Sequence, residues 1–235
     1  MKKYLALALA VLMALACVAL VACGDKCKNG HTFYEGKCLV CGADDPNYNP
    51  GGNEGGNEGG NQGGTTELKP ADTTIADAAL KCTNTGSVYA TTIGIAGFDT
   101  LTGLLDSASI TYTASQTLTA ADVTANDILI VVVGGSSKGM GGAGVTTSSE
   151  VARAQGFAAK EGLEIIVVQL GGDATRGETS DPMYNAICRD ADVTLILEAA
   201  NTDGLFTDLC KAGTLYTFSR GSKMVASLKF LLNIA

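Results

Sequence analysis

Six consecutive apolar residues, Ile128-Leu129-Ile130-Val131-Val132-Val133, constrain this chain more than any other feature. The run is rich in β-branched residues, shows no polar alternation and is short for a helix. A strand covered on both faces reads this way, and such strands belong to parallel sheets with helices above and below. Ile165-Ile166-Val167-Val168 repeats the signal, and the two runs together mark the sheet centre. Around them the pattern predicts strands over 88–95, 110–114, 127–133, 163–170, 192–197 and 214–218, with helix-like stretches between.

Helix starts follow the strands. Asp99 is read as the cap of a helix carrying Leu101, Leu104 and Leu105, and Thr119 with Asp122 as the start of a short one. Thr147-Ser148-Ser149-Glu150 has the form of a capping box leading into 151–161. Asp181-Pro182 reads as an N-cap followed by proline at the first helical position. Thr202 or Asp203 caps a helix with Leu205, Phe206 and Leu209; Ser222 opens the last one, with Val225, Leu228 and Leu232 on its inner face. These units predict a three-layer, doubly wound, mostly parallel α/β sheet over 71–235, flavodoxin-like or Rossmann-like in type.

The amino-terminal segment is expected to be an address rather than part of that fold. Lys2 and Lys3 precede an apolar run over 5–22, which ends Leu20-Val21-Ala22-Cys23-Gly24. Small residues before a cysteine are the pattern of a bacterial lipoprotein signal, with 1–22 removed and Cys23 lipidated. Ala14-Leu15-Ala16-Cys17 is a weaker second match. A transmembrane anchor competes, since roughly 18 apolar residues just span a bilayer; the short positive flank and the small residues favour export. Two acyl chains such as palmitate anchor stably where one is marginal. The expected location is the extracytoplasmic face of the bacterial cell membrane. Removing 1–22 takes away two lysines and no acid, so the net charge moves from −8 to −10. That balance argues against nucleic acid, whose phosphates demand clustered Lys and Arg.

Cys27, His31, Cys38 and Cys41 follow in the pattern C-x3-H-x6-C-x2-C-G. Four such ligands in so short a stretch suit a closed, structural, tetrahedral zinc site. One or two disulfides, as an oxidising compartment favours, and free thiols are the competing readings. Residues 32–37 read as a small hairpin within this module, which spans 23–45. From 46 to 70 the composition turns to Gly, Asn and Glu, including Gly-Gly-Asn-Glu repeats. Such a chain builds no core and behaves as a flexible tether with a reach of about 25–30 Å.

Three strand-to-helix loops carry the candidate chemistry. They are Gly94-Ile95-Ala96-Gly97-Phe98-Asp99, the stretch from Gly134 to Gly144, and the stretch from Gly171 to Asp181. Bare backbone amides, helix N-termini and the cations Lys138 and Arg176 could together cradle an anion. The expected ligand-binding residues are Gly134, Gly135, Ser136, Ser137, Lys138, Gly139, Gly172, Arg176 and Asp99. The switch in strand order is expected at the second and third of these loops. In the competing reading the glycines serve only tight turns, and Arg176 braces its own loop through Asp173, Glu178 or Asp181. Gly135-Ser136-Ser137-Lys138-Gly139 spells the G-x-S-x-G elbow of α/β-hydrolases. That elbow needs a histidine, and the only one is His31; its helix is also read as starting some ten residues late. Gly139 to Gly144 spells G-x-G-x-x-G, but it sits beyond its strand and Gln169 stands where an acid belongs. Cys82, Cys188 and Cys210 read as isolated, the last two as small buried hydrophobes.

Ile128 to Gly144 followed by Val167 to Asp181 resembles a family of uncharacterised bacterial exported α/β proteins, over roughly 88–232. The resemblance implies a parallel α/β fold and brings no activity or catalytic residue with it. The stretch from Gly30 to Gly42 resembles short zinc-ribbon-like modules in surface proteins of anaerobic Gram-positive bacteria. The functional expectation is a tethered module that binds or senses a small anionic metabolite. The alternatives are an enzyme acting on an acyl or phosphoryl group and a non-catalytic surface adaptor. Mass spectrometry of the mature N-terminus is expected to find diacylated Cys23, and elemental analysis of the reduced protein about one zinc per chain. An unmodified start elsewhere rejects the first; two disulfides without metal reject the second.

Overall fold

The computed structural model describes residues 69–234 in full, and the backbone of 33–34 and 37–38. Strands β1 (Phe33–Tyr34) and β2 (Lys37–Cys38) pair antiparallel, in the stretch read as a hairpin. Cys23, Cys27, His31 and Cys41, the 5–22 run and most of the tether lie outside the described residues.

The α/β unit is built on β3 (Val88–Ile93), β4 (Thr113–Ala114), β5 (Ile128–Val133), β6 (Glu164–Gln169), β7 (Val193–Leu197) and β8 (Leu215–Phe218). They form one sheet in the order β4-β3-β5-β6-β7-β8, with every pair parallel. All six side chains of β5 are buried, as a central strand requires. Ile128, Ile130 and Val132 join Ile166, Val168, Leu195 and Phe218 in a core completed by Leu101, Leu104 and Leu105 of α1 (Phe98–Ser107) and Leu228 and Leu231 of α6 (Val225–Leu231). Leu129, Val131 and Val133 alternate to the opposite face. The helices α3 (Thr147–Ala158), α4 (Asp181–Ile187) and α5 (Leu205–Leu209) bury Val151, Phe157, Met183, Tyr184, Ile187 and Phe206. Burying each large apolar side chain is worth about 1.5–3 kcal/mol. Two-sided burial is therefore what fixes the sheet's centre.

Several local expectations are corrected. The second strand shrinks to two residues because α1 ends in a Schellman turn through Ser109, at φ 55, with the Ile110 amide bonded to the Leu105 carbonyl. Ile110 is spent on the core rather than on the sheet. Asp99 caps nothing: Gly97, in the left-handed region, stands at the N-cap of α1. Thr119 and Asp122 close a turn, not a helix, with the Thr119 amide and hydroxyl both donating to Asp122. The capping box falls one residue earlier, on Thr146 and Ser149, which releases Glu150 from that duty. At α4 the N-cap position is Ser180, with no side-chain cap bond. A short helix absent from the sequence reading, α2 (Ser137–Gly142), begins just after β5 with Ser136 capping the Gly139 amide. The ten-residue delay used against the hydrolase elbow therefore does not exist; the missing histidine partner remains.

At the amino-terminal end of β5, Asp127 ties its own turn to the segment that leads into β3. Its carboxylate accepts from the Ser87 amide at 2.8 Å, the Thr124 amide at 2.6 Å and the Thr124 hydroxyl at 2.9 Å. Burial opposes the charge, but these hydrogen bonds and Lys160 outweigh it and hold the carboxyl below its usual range. A depressed folded-state pKa contributes stability above the unfolded value near 3.8, and loses it as pH falls through the lower folded value. Asp127→Asn is expected to destabilise the domain by about 1–3 kcal/mol at pH 7, with the gap to the parent closing at acid pH, where the folded parent's carboxyl is itself protonated. Urea unfolding at pH 7 and at acid pH checks it; a pH-independent gap contradicts the assignment.

Candidate functional site

Strand order reverses between β3 and β5, because β4 lies outside β3 while β5 to β8 run the other way. Open α/β sheets place ligands at the carboxyl ends of the strands flanking such a reversal. The switch point is thus set by the loops after β3 and β5, not by the loops after β5 and β6 as the sequence reading has it.

At this point the two loops pack backbone on backbone. The Ala96 amide donates to the Gly134 carbonyl at 2.9 Å, and the Gly134 amide to the Ile93 carbonyl at 2.9 Å. A Cβ on Gly135 would stand 2.4 Å from the Gly94 carbonyl oxygen, and one on Gly94 would stand 2.7 Å from that of Gly134. These glycines are needed for close approach. Ile95 between them sits at φ 70, a costly conformation for a β-branched residue.

Beneath the loops lies Glu150, only 3% exposed. Its carboxylate accepts from the Gly94 amide at 2.7 Å and pairs with Arg153 at 2.5 Å. Arg153 also donates to the Thr92 carbonyl at 2.5 Å and to the Leu118 carbonyl at 3.0 Å. The sequence reading gave Glu150 only a capping role and did not single out Arg153. The available signal was spacing: Glu150 and Arg153 stand among Val151 and Ala154, the buried positions of α3.

The loops after β5 and β6 are stitched together by hydroxyls. Ser180 accepts from the Gly135 amide and donates to its carbonyl, both at 3.1 Å. Ser137 and Thr179 share a hydrogen bond of 3.0 Å. The buried Tyr184 hydroxyl donates to the Val133 carbonyl at 2.6 Å. Gln169 donates to the Gly172 carbonyl at 2.5 Å and to Thr175 at 2.7 Å, so the residue standing where an acid belongs organises its own loop.

Arg176 is engaged on every side. It pairs with Asp181 at 2.7 Å and Asp203 at 2.8 Å, donates to the Ala200 carbonyl, and lies 5.3 Å from the centre of the Phe206 ring. Desolvation works against its charge, but the two carboxylates more than compensate and raise its basicity. Asp203 is held below the usual carboxylate range by Arg176. Of the three acids expected to brace this arginine, Asp181 does so; Asp203, on the following loop, was not foreseen. Asp173 and Glu178 stay exposed.

Lys138, by contrast, is exposed, and no described residue pairs with it. The amides of Ser137 and Lys138, in the first turn of α2, likewise have no acceptor among the described residues. Asp99 is exposed at the second position of α1 and Gly172 is buried in its turn. The expected ligand residues therefore fall into two sets: Asp99, Ser136, Ser137 and Lys138 open to solvent, and Gly134, Gly135, Gly139, Gly172 and Arg176 committed to the loops themselves. Among the described residues no group of three or more His, Cys, Asp or Glu side chains is placed to hold a metal ion, and no helix is long and apolar enough to cross a membrane.

A family model described as a domain of unknown function, DUF6305, matches residues 86–223. No curated protein and no solved structure matches the chain.

Arg176→Ala is expected to lower stability by about 2–3 kcal/mol, since it strips hydrogen-bonded partners from two carboxylates and a carbonyl. Arg176→Lys is expected to recover only part of this, because an ammonium cannot reproduce the fork. Thermal melts of the three proteins check it; unchanged melting of the alanine variant refutes the brace.

Proposed function

The chain belongs to the DUF6305 family, and from that premise we propose that it is a membrane-tethered, extracytoplasmic lipoprotein whose α/β domain binds a small anionic metabolite at the rim of its sheet. The tether is the lipidated Cys23 followed by the Gly/Asn/Glu linker, with the Cys27, His31, Cys38, Cys41 zinc module between them. The observation that carries the binding reading is the contrast at the rim. Arg176 is neutralised by two carboxylates, while Lys138 is exposed, and it and the amides of Ser137 and Lys138 have no acceptor among the described residues. An oxyanion there meets an ammonium, two amides and the neighbouring hydroxyls of Ser136 and Ser137. The recognition is by charge and hydrogen bonding, and Arg176 acts as the frame that holds the adjoining loop. Ser137 bonds to Thr179, which is no general base, and this favours binding over acyl transfer.

The second reading, a non-catalytic surface adaptor, draws on the backbone packing of Gly94 against Gly134 and Gly135. In that reading the rim glycines serve only to close the fold.

Amide spectra of the parent during titration with inorganic phosphate and succinate at low salt separate the two. Binding is expected to shift the 136–139 amides and to weaken as salt is added. Lys138→Ala is expected to weaken it by about 1–3 kcal/mol while leaving the melting temperature unchanged. Amides of 136–139 that stay still at millimolar anion leave the adaptor reading.

A further inference from the structure

Two of the cysteines are not isolated. Cys188 closes α4, with its amide bonded to the Tyr184 carbonyl, and Cys210 closes α5, with its amide bonded to the Phe206 carbonyl. The turns that follow them adjoin: Lys211 donates to the Asp190 carbonyl at 3.0 Å, and the Thr194 amide to the Thr214 carbonyl at 3.0 Å. Both cysteines are buried, at 1% and 6% exposure, and their side chains meet each other beside Thr194 on β7. Cys82 stands elsewhere, half-buried against Glu164. Nothing in the binding reading uses the thiol pair.

We infer that Cys188 and Cys210 form a disulfide when the chain folds in an oxidising compartment, a covalent clamp joining the ends of α4 and α5. The chemistry is thiol–disulfide exchange with an external disulfide, either a small-molecule one or that of an oxidoreductase. The Cys210 thiolate attacks one sulfur of that disulfide and expels the first thiolate. The Cys188 thiolate then attacks the Cys210 sulfur of the mixed disulfide and expels the second. Two thiols of the chain are oxidised, one external disulfide is reduced to two thiols, and the two protons lost by the chain end on the expelled thiolates. The order follows from the environment. Burial pushes the Cys188 thiol well up, and Cys210 is the less deeply enclosed of the two, so Cys210 is the sulfur an external disulfide reaches first. The enclosed segment carries β7, the Asp203 end of the Arg176 brace and α5. Closing it restrains the unfolded chain at the loop that holds Arg176.

The occurrence of this bond in cells rests on the exported reading; its formation in a purified chain does not. The full chain is unfolded in denaturant and reductant, then refolded with the reduced and oxidised glutathione couple. Trypsin cuts after Arg176, Arg189 and Lys211, placing Cys188 and Cys210 on separate peptides, 177–189 and 190–211. The expected result is those two peptides joined in the non-reduced digest, with Cys82 still open to alkylation. A rise in melting temperature of about 5–10 °C should accompany it and vanish on reduction. The Cys188→Ala, Cys210→Ala variant keeps small apolar groups in the same places and is expected to melt identically with and without the couple. Recovery of both peptides separately alkylated from a correctly folded chain overturns the inference, as do glutathione adducts without the cross-link. Alkylation of intact cells before lysis tests the compartment. A cross-link formed on refolding but absent from cells overturns the exported reading while leaving the chemistry in place.

Discussion

A carboxylate held at 3% exposure beneath the reversal of a sheet is expensive unless its oxygens are met, and Glu150 is met by Arg153 and by the Gly94 amide. Losing one partner of such a pair costs more than the pair contributes, because a charge is left stranded. The geometry above it follows. Gly94 must present its amide downward, and the β3 loop turns through three residues of positive φ, Gly94, Ile95 and Gly97, which carries Ile95 into strain. That turn brings the Gly94 carbonyl against Gly135, so the loop after β5 must start with residues lacking Cβ. Arg153 spends its remaining donors on Thr92 and Leu118, tying the end of β3 to the helix-free crossover that precedes β5. The rim is therefore organised from underneath, by a charge pair whose carboxylate is buried.

How much of this was legible depended on range. Two-sided burial writes itself into composition, so β5 and β6 could be read residue by residue, and all six strands of the sheet were located. Local devices were nearly legible: the capping box slipped by one residue because Thr146 and Ser149 reproduce the same chemistry as the pair beside them. The rest needed partners from distant segments. Arg176 finds Asp203 across 27 residues, and Cys188 finds Cys210 only once α4 and α5 lie side by side. The Gly-rich loop after β5 concealed α2 because glycine is a poor helix former. What holds that single turn and a half is the Ser136 cap and the buried Met140, neither of which periodicity could weigh.

The division among the rim glycines bears on what such a rim can recognise. Loops that bind phosphate through glycine leave several amides converging on empty space. Here the Gly94 and Gly135 amides are consumed by Glu150 and Ser180, while Gly141, Gly142 and Gly144 have open space where a Cβ would stand. Recognition by convergence is thus closed off at the switch point itself, and what remains is a short exposed turn with one ammonium. A turn of this kind neutralises about one negative charge, and the mature chain's expected −10 opposes the approach of more highly charged anions. Under the binding proposed above, the rim would suit a singly charged or carboxylate ligand better than a nucleotide. Selectivity would have to come from the residues beside Lys138, Ser136 and Ser137, whose hydroxyls present both donor and acceptor to whatever the ammonium draws in.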